Sequence, residues 1–197
     1  MIFALRHPAV LLGLLLGFLV GVGLRAALQR RLSRSGSGLG GGLRRRRLSA
    51  VGGRRRTPGA MLRPQAGWAA YLDPYGAVAA LLAGAGWGAR VETRRRGRGS
   101  DVAMLAAALA VHAALTAAGL AAYRAAGGDL ALVHFIHVSS VLHGTFAFGS
   151  VAEQVGLGFA MVNLACGLLA LVPIPPLELG VVLWSRLPRS AGARRLA

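Results

Sequence analysis

The chain has 197 residues, room for one domain, with 55% hydrophobic residues, a mean hydropathy of +0.56 and a formal charge of +17. A soluble domain with evenly spread charge is excluded, because it could not hide so much apolar surface. Charge and apolar residues are instead segregated: all 23 basic residues are arginine, with twelve between Arg25 and Arg63, five between Arg90 and Arg98 and four between Arg186 and Arg195. The single cysteine, Cys166, lies in an apolar run, which excludes an intramolecular disulfide or a cysteine-built zinc site and leaves a small packing residue.

Residues 1–32 read as a first membrane helix with a cytoplasmic extension. The uncharged run 8–24 has 17 residues, about 26 Å of helix, longer than a secretory h-region, and a basic block that resists translocation follows at once. Residues 33–66 form an Arg/Gly-rich linker that cannot build a core and is expected to be disordered. Its arginines carry no interleaved aromatic residue and are tethered to a membrane, so they suit anionic lipid and topology rather than nucleic acid.

Residues 67–184 form the membrane core. The stretch 67–88 is apolar but has basic segments on both sides, and Asp73-Pro74 interrupts any helix through it, so it reads as re-entrant or interfacial. Helices are expected at 102–123, 130–150 and 155–172, the middle one interfacial. Pro173-Ile-Pro175-Pro176-Leu177-Glu178 ends the last span, and a short helix capped by Glu178 runs to residue 184. The tail 185–197 is basic. The excess of arginine then sets the orientation: the N-terminus outside, the linker and tail cytoplasmic, and 124–153 outside. The fold class is an all-α polytopic membrane protein with about three spanning helices, one re-entrant segment and one interfacial helix. The lipid bilayer is the expected partner, and nucleic acid is not.

Two segments carry a family resemblance. Asn163-Leu-Ala-Cys-Gly-Leu-Leu-Ala-Leu-Val-Pro173-Ile-Pro175-Pro176-Leu177-Glu178 resembles the helix ending in Asn-Leu-Leu-Pro-Ile-Pro-Pro-Leu-Asp-Gly of the site-2 protease family of intramembrane zinc metalloproteases. Leu72-Asp73-Pro74-Tyr75-Gly76, followed by Gly86-Trp87-Gly88, is similar to the segment between that family's two metal-binding helices. The family's His-Glu-x-x-His puts two zinc ligands on one helix face with a general base between them. No such motif occurs here: the resemblance sets Arg25 and Gln29 at the ligand positions, Ala26 at the base and Glu178 at the third ligand, while Ala170 stands where an Asn is expected. Arg25 repels zinc and Ala26 cannot move a proton. The resemblance therefore implies a catalytically inactive homologue without a cofactor, holding a transmembrane client or a partner protease. Small residues such as Gly84, Gly86, Gly156, Gly158 and Gly167 would mediate that association.

The alternatives are a divergent active protease, with zinc on Glu178 and histidines from elsewhere, and a structural or assembly subunit. His134 and His137 share a helix face at i, i+3, and with His143 and Glu153 or Glu178 they form the candidate metal set. Set against it is an interfacial role for these histidines. His112, in mid-span, is read as a neutral, hydrogen-bonded contact between helices.

Overall fold

The computed structural model describes residues 2–35, 72–88, 98–144, 149–175 and 177–184. Most of the Arg-rich linker, residues 67–71, Pro176 and the basic tail lie outside them. The described chain is all-α. A 3-10 helix, Ile2–Arg6, leads into α1 (Pro8–Ser35), followed by α2 (Pro74–Ala83), α3 (Arg98–Ala125), α4 (Leu130–Val133), α5 (Val138–Leu142), α6 (Val151–Ala170) and α7 (Glu178–Trp184). Within these, Pro8–Leu32, Asp101–Ala125 and Val151–Ala170 are long and apolar enough to cross a membrane.

Helices in lipid gain little from burying apolar side chains against one another, so close approach depends on small residues. In α1, Gly13, Gly17 and Gly21 recur every fourth position and face α6. A Cβ on Gly13 would strike the carbonyl of Val155; one on Gly17 would fall 2.9 Å from Phe159 O, and one on Gly21 would fall 2.6 Å from Asn163 Oδ1. The contacts climb both helices together, so α1 and α6 are parallel. On the other side of α6 the register is reversed. Gly119 of α3 faces Ala160, with the Ala160 amide nitrogen 2.8 Å from a Cβ there, and Gly156 faces Tyr123. Helix α3 is therefore antiparallel to both. Leu14, Val10, Val162 and Asn163 fill the interior, while Leu12, Leu15, Leu16 and Leu19 of α1 are exposed.

The segment after Leu72 runs out and returns, and an antiparallel bridge between Leu72 and Gly88 closes its two ends. Asp73-Pro74 does not interrupt a helix here; it starts one. Asp73 Oδ1 accepts from Gly76 N at 2.9 Å, and Pro74 takes the first helical position, where its missing N–H costs nothing. Gly84, in the left-handed region at φ +81°, ends α2 and abuts Leu142 of α5.

Several boundaries differ from those expected; α3, for one, runs Arg98–Ala125 rather than 102–123. Of the helix expected at 130–150, residues 145–148 lie outside the described residues, and 130–144 hold two short pieces, α4 and α5. His137 between them is extended (φ −68°, ψ 131°), and Gly144 at φ +70° ends the second. Within α4 no residue is fully buried and only Val133 packs against the core, so little tertiary packing supports a longer helix. Helix α6 starts at Val151 rather than 155, because Ser150 and Glu153 form a capping box: Glu153 N donates to Ser150 Oγ at 3.3 Å, and Ser150 N donates to Glu153 Oε1 at 3.2 Å. Helix α1 runs to Ser35, into the first residues of the expected linker.

The close helix contacts generate a prediction. Gly119→Val and Gly156→Val push a side chain into backbone, so each should destabilise by about 1–3 kcal/mol. Thermal unfolding in detergent should show lowered midpoints for both, and an unchanged midpoint for Leu16→Ala on the exposed face.

Candidate functional site: a buried ion pair at the arginine-rich end

The antiparallel order brings the C-terminal part of α1, the N-terminal part of α3 and the C-terminal end of α6 together. The described ends that lead into the Arg-rich segments all lie at this end of the bundle. Two opposite charges meet there. Arg25 Nη1 lies 2.6 Å from Glu178 Oε1, with side-chain exposures of 7% and 14%. Arg25 Nη2 also donates to Gly88 O at 3.1 Å. One guanidinium thus ties α1 both to the first turn of α7 and to the closing residue of the re-entrant segment. Its Nε–H is buried without an acceptor among the described residues. Ala26 and Gln29 are also buried, and Gln29 Nε2 approaches Met104 O at 3.5 Å, at the margin of a hydrogen bond.

A second polar contact lies deeper. Asn163 Nδ2 donates to Gly17 O at 3.2 Å and to Phe159 O at 2.9 Å, which fixes the orientation of its amide. Its Oδ1, which can only accept, faces His112 Nδ1 at 3.1 Å, so His112 carries a proton on Nδ1. His112 is therefore a hydrogen-bonded helix–helix contact, as read from its mid-span position. Cys166 Sγ contacts Gly86 O at 3.5 Å and holds the returning limb of the re-entrant segment against α6.

The other family-like positions fall into two groups. Arg25 and Glu178 meet; Ala26, Gln29 and Leu177 are buried next to them in sequence, and Asn163 lies against Gly21, one turn of α1 before Arg25. Asp73 and Pro74 serve the start of α2, while Pro173 and Pro175 are exposed in the turn that ends α6. Pro176 is outside the described residues.

The described residues contain no group of three or more His, Cys, Asp or Glu side chains able to hold a metal. His134 and His137 are exposed, His143 Nδ1 lies 2.7 Å from the carbonyl of Ser139 in its own helix, and Glu178 is engaged by Arg25, so the set His134, His137, His143 and Glu178 is not assembled. A guanidinium within hydrogen-bonding distance of the Glu178 carboxylate is a donor where zinc needs lone pairs. The described residues around Glu178 do not assemble a zinc ligand set.

Two features escaped the sequence reading. The glycine stripe of α1 was legible as repeated small-x-x-x-small spacing. The Arg25–Glu178 pair leaves a weaker signal, two opposite charges that each border an apolar run and need a partner once buried.

The described residues define an all-α protein with three candidate membrane spans and a buried ion pair at one end of the bundle. Comparisons with family models, curated proteins and solved structures find no match.

Removing one partner of a buried pair strands the other, at about 3–5 kcal/mol, whereas removing both is nearly neutral. Arg25→Met and Glu178→Leu should each destabilise strongly, and the double variant should recover most of the loss. A double-mutant cycle on unfolding in mixed micelles reads this out directly.

Proposed function

We propose that this chain is a membrane-embedded pseudoprotease, a degenerate relative of the site-2 intramembrane zinc metalloproteases that holds a transmembrane client or a partner protease without cutting it. The observation that carries the reading is the 2.6 Å contact of Arg25 with Glu178. Under the resemblance these are a first-ligand and a third-ligand position, and a fixed guanidinium satisfies the carboxylate that would otherwise bind metal. The buried methyl of Ala26 at the general-base position supports the same reading.

The mode of association differs from that expected of the small residues. Gly84, Gly86, Gly156 and Gly158 are buried in contacts within this chain, and Gly167 lies against His112. They have little surface left for a partner. The exposed leucine face of α1, Leu12, Leu15, Leu16 and Leu19, is the better candidate for docking a client helix.

We further propose that the chain is multi-pass in a cell membrane, with the Arg-rich linker and tail cytoplasmic. Gathering of the adjoining helix ends at one end of the bundle supports this, together with the positive-inside rule. Reporters fused within 36–71 and after residue 197 should read as cytoplasmic, and one inserted after Gly127 as external. Opposite signals from the linker and tail would overturn the orientation.

The catalytic reading is tested by metal content. Detergent-purified protein should carry no stoichiometric zinc, and the fourfold replacement Arg25→His, Ala26→Glu, Gln29→His and Glu178→Asp should raise its zinc affinity. About one zinc per native chain, lost in Glu178→Gln, would sink the pseudoprotease in favour of a divergent enzyme.

A further inference from the structure

The segment 129–137, between the second and third candidate spans, is apolar on two opposite sides. Inward, Val133 and Ile136 pack against the hydrophobic core. Outward, Leu132 is 53% and Phe135 82% exposed, and Val151, where α6 begins at the same end of the bundle, is 68% exposed. The conformation is specified locally. Asp129 Oδ1 accepts from Ala131 N at 2.9 Å, and a tight turn follows in which Phe135 N donates to Leu132 O at 3.0 Å and Ile136 N to Val133 O at 3.2 Å. The inward pair therefore fixes where the outward pair stands. His134 and His137, both exposed, interleave with these apolar residues.

A single exposed Phe requires no explanation, but a braced loop presenting several large apolar side chains does. Its position indicates the occupant. Asp129 follows the end of α3 at Ala125 by four residues, at most about 14 Å of chain, and the polar layer of a bilayer face is itself about 5–7 Å deep. The anchoring of Val133 and Ile136 to the core prevents the loop from rising further.

We propose that 129–137 is a lipid anchor. Leu132 and Phe135 insert into the headgroup–acyl boundary of the leaflet opposite the arginine-rich segments, with His134 and His137 at headgroup level. This rests on the membrane embedding proposed above and adds a specific lipid contact to it. Phe and Leu favour that boundary, and His there shows its polar edge to water.

The test is spin-label accessibility on the full chain in phosphatidylcholine–phosphatidylglycerol vesicles. Leu132→Cys, Phe135→Cys and His134→Cys are each labelled in a Cys166→Ala background, with Leu16→Cys on the exposed face of α1 as the reference. The expected result is that oxygen relaxes the labels at 132, 135 and 16 more than a water-soluble nickel chelate does, with the order reversed at 134. Nickel-dominated relaxation at 132 and 135, with 16 still oxygen-dominated, would overturn the anchor and leave the embedding intact. An immobilised label at 135, shielded from both reagents, would place it against protein and also overturn the anchor. Nickel-dominated relaxation at 16 would overturn the embedding itself, and the anchor with it.

Discussion

Close backbone approach around α6 is the constraint on which the rest of the architecture depends. Lipid is as apolar as leucine, so three long helices gain little by burying side chains against one another and must gain by fitting together. Gly13, Gly17 and Gly21 let α1 lie against α6 in parallel, and Gly119 and Gly156 let α3 lie against it in the opposite sense. Every later feature inherits that register. It sets Gly21 beside Asn163 and His112, and it delivers Arg25 to the level where α6 has ended and α7 begins.

The polar groups then settle positions that packing leaves open. A charge in an apolar interior is tolerated when paired and hydrogen-bonded, and Arg25 meets this with two partners on different elements, Glu178 and the carbonyl of Gly88. The re-entrant segment is held from both flanks, by Arg25 at Gly88 and by Cys166 at Gly86, while its far tip rests on Leu142. The same guanidinium occupies the Glu178 carboxylate, so this corner is held by charge pairing between α1 and α7.

Much of this was legible beforehand. Long uncharged runs between arginine blocks located the three spans, and basic flanks on both sides of 67–88 required a path that goes in and comes back. Glu178 was expected to open a short helix, and α7 does begin there. The break within 130–144 is not legible in the sequence, because average apolarity does not distinguish one helix from two short ones. The break depends on an extended His137 and on glycines adopting positive φ, which composition cannot reveal. The start of α6 was set by a capping box whose Ser-x-x-Glu pattern was present but overlooked. The glycines expected to receive a partner were instead consumed inside the fold, since spacing marks a close contact without saying with what.

By itself the sequence determined the class of molecule: how many long apolar helices it can form, where they stop, and which segments are too charged to enter lipid. These are properties of single segments, governed by transfer between water and hydrocarbon and by local capping, and they need no knowledge of neighbours. Only the tertiary structure decided which residues meet. That Arg25 pairs with Glu178 across 153 positions, or that Asn163 presents its carbonyl to His112, depends on the rotation and register of packed helices. Those are fixed by contacts summed over whole interfaces, and no local stretch of sequence contains them.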